Sequence, residues 1–226
     1  MDSKAIRVAD RARVAELTAQ IHNLEKQRGP HQKRLDAYKY PILTLPTEIT
    51  SEIFMQYLPP YPACPPLAGP SSPTCLTHVC RRWREIALAT PQCWRAIPLV
   101  LPASRNEQVV PVWLARSRLL PLSIQMESGD HDGAWLTAAT LRALLQCQNR
   151  WEHVKLALAD SELGRIEGSM PLLRELSLKM YNFARNKRPV SNAVDFPRLR
   201  TLLLNKLIYV GDWLPWTQLT CLTLEI

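Results

Sequence analysis

Leu173-Arg174-Glu175-Leu176-Ser177-Leu178 has the form L-x-x-L-x-L, and the form returns at Leu199-Arg200-Thr201-Leu202-Leu203-Leu204 and at Leu219-Thr220-Cys221-Leu222-Thr223-Leu224. A weaker copy is Trp151-Glu152-His153-Val154-Lys155-Leu156, and a fainter one is Leu119-Leu120-Pro121-Leu122-Ser123-Ile124. From Trp151 onward the copies start 22, 26 and 20 residues apart. The apolar residues alternate at the end of each copy, which is the period of a strand with one buried face. No copy is long enough to bury its own leucines, so the copies are expected to stack strand beside strand.

That spacing falls within the ~20–29 residues of a leucine-rich repeat. Residues 99–226 are therefore expected to form a short, irregular solenoid of parallel strands plus helices. Leu136, Leu141, Leu144 and Leu145, with Trp135, mark a helix on its convex side. The alternate residues of each strand leave the core. Lys155, Ala157, Ser177, Lys179, Leu203, Asn205, Thr223 and Glu225 should thus line the open face. Lys155, Ser177, Lys179, Leu203, Asn205 and Thr223 are the candidate contacts to a protein substrate. The final strand, Leu222 to Ile226, has nothing after it, whereas solenoids usually need a terminal cap. A truncated chain, or a partner over that end, is expected.

Upstream, residues 41–98 hold two helical patterns. Pro46 suits the first turn of a helix, where its missing N–H costs nothing, and Glu48 suits the positive end of the helix dipole. Ile49, Ile53 and Tyr57 repeat every four residues, with Phe54 and Leu58 beside them, until Pro59-Pro60 stops the helix. Residues 59–73 contain seven prolines and form an extended loop. Extra loop length costs little, so this loop is expected to bulge outward. Ser72-Pro73 reads as an N-cap and first-turn proline. Leu76, Val79, Cys80, Trp83 and Ala87 then read as one apolar helical face. Thr90-Pro91 opens a short turn carrying Trp94 and Ile97.

Residues 1–40 are polar with a sparse stripe. Val14, Leu17, Ile21 and Leu24 step by three, four and three, an a/d seam. Gly29-Pro30 is expected to break this helix, and Leu35 and Tyr38 to mark a shorter second one. The stripe leaves two readings open: a homodimer through residues 8–28, or a lone amphipathic helix, since barely two heptads are present.

Taken in order, Leu45-Pro46-Thr47-Glu48-Ile49, Ile53-Phe54, Leu58-Pro59, Val79-Cys80-Arg81-Arg82-Trp83 and Trp94 resemble the F-box motif. The whole layout resembles F-box proteins with irregular leucine-rich repeats that abound in mushroom-forming fungi. The resemblance implies an α/β chain: an N-terminal amphipathic helix, a small all-α three-helix module at 41–98, then the repeats. It implies docking onto a Skp-family adaptor and, through it, a cullin-RING ubiquitin ligase, with a protein substrate on the repeats. Leu45, Pro46, Ile49, Ile53, Leu58, Val79, Cys80 and Trp83 match the motif's interface and core positions. Leu45, Pro46, Ile49 and Val79 are expected to meet the adaptor, while Phe54, Trp83 and Trp94 pack inside. Such a subunit acts by proximity and supplies no catalytic residue and no cofactor.

The remaining residues fit other chemistries poorly. Cys64, Cys75, His78 and Cys80 are potential zinc ligands, but the last three fall at helical spacing and point apart. His131 and Asp132 sit in Gly129-Asp130-His131-Asp132-Gly133, without a nucleophile elbow or a Gly-rich phosphate loop nearby. The net charge of +8 favours acidic partners. Yet the clusters Arg81, Arg82, Arg84 and Arg185, Lys187, Arg188 lack interleaved aromatics, so nucleic acid is not expected. No apolar run reaches the ~18 residues of a membrane span. The six cysteines show no C-x-x-C spacing, and a cytoplasmic or nuclear setting with free thiols is expected.

Overall fold

The computed structural model describes residues 3–38, 41–126, 136–159, 162, 164–181, 194–205 and 215–225. The chain divides into two compact units, Met1–Pro46 and Thr47–Ile226. The first is dominated by one long helix, α1 (Ser3–Ala37), followed by a 3-10 turn at Pro41–Thr44. The expected break at Gly29-Pro30 does not occur. Proline removes one helical bond, to the Lys26 carbonyl, but Pro30 is exposed, and water can satisfy that oxygen. Gly29 has no Cβ to meet the proline ring, so the clash with the preceding side chain is also avoided.

The second unit is mixed α/β. It opens with three short helices, α2 (Thr47–Tyr57), α3 (Pro73–Val79) and α4 (Arg81–Ala89), and a 3-10 turn at Pro91–Trp94. Ser72 caps α3 as its sequence foretells: its Oγ accepts from the Thr74 amide at 3.1 Å, with Pro73 in the first turn. The single face expected from Leu76 to Ala87 is a correction. Cys80 is extended (φ −158°, ψ 170°) and separates α3 from α4. Its sulfur accepts from the Trp83 amide at 3.4 Å, so Cys80 is the N-cap of α4.

The strands follow as β1 (Ala96–Leu99), β2 (Leu122–Met126), β3 (Trp151–Ala159), β5 (Glu175–Tyr181), β7 (Thr201–Asn205) and β8 (Cys221–Glu225). They form one six-stranded sheet in chain order, parallel at every pairing. Each of the five sequence copies supplies one of these strands. Their apolar residues stand in register: Ile97, Ile124, Val154, Leu176, Leu202 and Leu222 make one row across the sheet. Leu156, Leu178, Leu204 and Leu224 make a second.

The turn before β5 recurs before β7. Met170-Pro171 and Phe196-Pro197 lead into Leu173 and Leu199, whose amides bond back to the Met170 and Phe196 carbonyls at 3.2 Å. All four apolar residues are buried. Two-residue strands β4 (Gly168–Ser169) and β6 (Val194–Asp195) pair beside these turns, so the repeats of β5 and β7 are joined twice.

Two helices connect the early strands: α5 (Ala103–Arg116) and α6 (Ala138–Leu145). The sequence reading anticipates α6, whose N-cap is Thr137, and misses α5. Phe54, Leu58, Leu76, Ile86 and Trp94 join the strand leucines, Trp113 and Leu141 in one continuous core. The three-helix segment therefore does not rest on a core of its own. At the junction, Trp94 is fully buried, donates Nε1–H to the Ala87 carbonyl at 2.8 Å and meets Trp113 edge-on at 5.3 Å. The boundary drawn at residue 98 falls inside β1, which pairs with β2. Among the described residues no helix is long and apolar enough to cross a membrane.

Candidate protein-docking surfaces

The three-helix segment sorts its apolar residues into two sets. Phe54 and Leu58 face inward, and Trp83 packs edge-on against Phe54 at 5.1 Å. Ile49, Ile53 and Tyr57 lie on the other side of α2 and are 50%, 40% and 38% exposed. Val79, at the end of α3, is 56% exposed. A helix in water normally turns one apolar stripe inward and keeps charged residues outside; α2 has a second apolar stripe with nothing over it among the described residues. Tyr57 also holds the neighbouring loop, its hydroxyl accepting from the Ser71 amide at 2.8 Å.

The eight residues of the resemblance thus have distinct placements. Ile49, Ile53 and Val79 are on the surface. Leu58, one of the motif's interface and core positions, is buried and belongs with the core, because it cannot meet a partner without opening it. Cys80 and Trp83 are half-buried, the one capping α4 and the other covering Phe54. Leu45 and Pro46 belong to the first unit, where Pro46 is exposed and Leu45 half-buried.

A second surface is the open face of the sheet. In register, Lys155 neighbours Ser177, then Leu203, then Thr223; Ala157 neighbours Lys179, Asn205 and Glu225. These rows alternate with the leucine rows; in β7 Leu202 and Leu204 are buried and Leu203 and Asn205 half-buried, whereas every residue of β8 is exposed. Thr223 and Glu225 are exposed, and Lys155, Lys179, Leu203 and Asn205 are half-buried. Ser177 and Ala157 are buried, which leaves them little direct contact. The Asn205 amide donates to Glu225, and His153 meets Glu175 at 3.2 Å.

The proline-rich loop changes the extent of this face. It does not bulge outward but folds back onto β2 and β3. The Tyr61 hydroxyl donates to Glu152 at 2.8 Å, and the ring lies under the Arg95 guanidinium at 3.7 Å and edge-on to His153 at 5.6 Å. The Pro62 carbonyl accepts from Ser123 Oγ at 2.6 Å and from Gln125 Nε2 at 3.2 Å. Polar side chains at the start of the sheet fix the loop, because Ser123 and Gln125 carry donors that a covered surface must satisfy. The open face is therefore confined to the later strands. Between loop and sheet lies a depression of about 580 Å³, bordered by Cys64, Leu67, Val100, Leu101, Arg105 and Gln125.

The cysteines and histidine considered for zinc each have another place. Cys64 lies against Ser123, with its thiol pushed up to about 12 by burial. The His78 ring bonds to the Thr74 carbonyl at 2.7 Å, and Cys80 caps α4. Among the described residues no three metal-ligating side chains come together. Burial likewise pushes the Cys93 thiol up to about 12 and the Tyr61 phenol well above its usual range, the latter helped by Glu152. His131 and Asp132, and the cluster Arg185, Lys187 and Arg188, lie outside the described residues.

Comparison with family models, with curated proteins and with solved structures finds no match to this chain.

Proposed function

We propose that this chain is the substrate receptor of a cullin-RING ubiquitin ligase. The segment α2–α4 acts as an F-box that docks a Skp-family adaptor. The parallel sheet acts as a leucine-rich-repeat platform that holds a protein substrate. The observation that carries this is the uncovered stripe of Ile49, Ile53 and Tyr57, with Val79, on helices whose opposite sides are already packed. Apolar residues clustered on a surface mark interaction sites, and Ile49, Ile53 and Val79 among them lie at motif positions of the resemblance. Leu45 and Pro46, which directly precede α2 in the chain, are motif positions of the same resemblance. The substrate would meet Lys179, Leu203, Asn205 and Thr223, which the proline-rich loop leaves free. The chain itself would catalyse nothing and need no cofactor; the ligase gains rate by raising the local concentration of a substrate lysine. Such a receptor works in the cytoplasm or nucleus.

Co-purification tests this. A Skp-family adaptor and a cullin should be retained by the wild type, and the Leu45→Ala/Pro46→Ala and Ile49→Asp/Val79→Asp pairs should each lose both. Adaptor retained without cullin would favour the second reading, an F-box scaffold acting outside the ligase. No adaptor retained by a folded wild type would overturn both.

A further inference from the structure

We infer that α1 assembles two copies of this chain as an antiparallel helix pair. No described residue of Met1–Pro46 is buried. Val14, Leu17, Ile21 and Leu24, all on one side of α1, are between 41% and 63% exposed. Extending their a/d register places Arg7, Asp10, Arg28 and His31 in the same seam, and Arg11 and Glu25 beside it at e.

Charge decides the direction. A parallel, in-register pair would stack Arg7 on Arg7, Asp10 on Asp10 and Arg28 on Arg28, three like-charge layers in a partly desolvated seam. Turning one helix around keeps the apolar layers, with Val14 against Leu24 and Leu17 against Ile21, each made twice. It sets Asp10 of each copy against Arg28 of the other, closing the apolar layers at both ends. It also sets Arg11 of each copy beside Glu25 of the other, since e positions face e positions in an antiparallel pair. The outermost layers, Arg7 against His31, contribute little. Moving the antiparallel register by one heptad either way drops apolar residues onto charged ones, for example Leu17 onto Arg28. The pattern therefore selects one direction and one register, as complementary charges do in coiled coils generally.

Sedimentation equilibrium of the full chain, with charge swaps, tests this. The wild type should dimerise. Asp10→Arg alone and Arg28→Asp alone should each raise the dimer dissociation constant about tenfold or more, since each replaces two attractive contacts by two repulsive ones. The Asp10→Arg/Arg28→Asp double variant should recover to within about threefold of the wild type, because the pairing is rebuilt with its signs exchanged. Circular dichroism checks that every variant keeps its helix content. A monomer at all concentrations, as when α1 is covered by its own chain, would overturn the inference. So would a dimer that ignores the single swaps, because a parallel pair only exchanges one like-charge layer for another.

Discussion

Cys80 shows how one residue sets two elements. It ends α3, and its sulfur accepts the Trp83 amide that would otherwise be an unpaired donor at the start of α4. Sulfur is a weak acceptor. Cys80→Ser should therefore leave stability unchanged or raise it, while Cys80→Ala should cost about 0.5–1 kcal/mol in urea unfolding. Cys64 and Cys93 behave differently. Burial holds both thiols protonated up to about pH 12, against a usual value of 9.0. In the unfolded chain they ionise near 9, so between about 9 and 12 the unfolded state sheds protons that the folded state keeps. Stability must fall as pH rises through that window. A Cys64→Ala/Cys93→Ala variant should flatten the fall in denaturation midpoint. A thiol reagent at neutral pH should modify exposed Cys221 well before buried Cys93.

At the scale of elements, strands and their phase were legible because leucines two apart have one explanation in a stacked sheet. The phase is testable with adjacent residues of β7: Leu202 is fully buried and Leu203 half-buried. Leu202→Ala should cost about 2–5 kcal/mol and Leu203→Ala about 1 kcal/mol or less; equal costs would mean the register is wrong. Other elements left no such trace. Pro111 interrupts the pattern of α5, yet the helix runs through it with the proline exposed. β1 is only four residues long and contains Pro98, which is tolerable on an edge strand and is there hidden from periodicity. The break at Cys80 is one residue wide and lies inside an unbroken helical spacing. The docking of the proline-rich loop depends on bonds to residues far along the chain, such as Tyr61 to Glu152; local composition carries no sign of them. Tyr61→Phe should cost about 1 kcal/mol and raise amide exchange in residues 60–68 without altering that of β7.

At the scale of the whole molecule, the two units differ in burial. Every residue of the continuous core comes from the second unit, beginning at Phe54, while α1 contributes an exposed stripe. A chain starting at Thr47 should keep the cooperative urea transition of the full chain and lack the pairing proposed for α1. A broadened transition with a fallen midpoint would contradict that division. Within the second unit, α2–α4 share one core with the sheet, so a partner bound on Ile49 and Val79 would be held on a rigid base with the open strands. That suits a receptor, which must hold one protein at a fixed place relative to another. The candidate site was half legible: the motif residues were named in sequence, but only burial separated Leu58, inside, from Ile49, Ile53 and Val79, outside.

The central claim is that this outer stripe is the adaptor-binding surface. Calorimetric titration of the full chain with a purified Skp-family adaptor tests it most directly, comparing wild type with Ile49→Asp on α2 and Leu203→Asp on the sheet. Adaptor should bind the wild type and the Leu203 variant with equal affinity, and the Ile49 variant at least about thirtyfold more weakly, as expected when an apolar anchor near the centre of an interface is replaced by a charge. A folded wild type that does not bind, or an Ile49 variant that binds as tightly as the wild type, would contradict it.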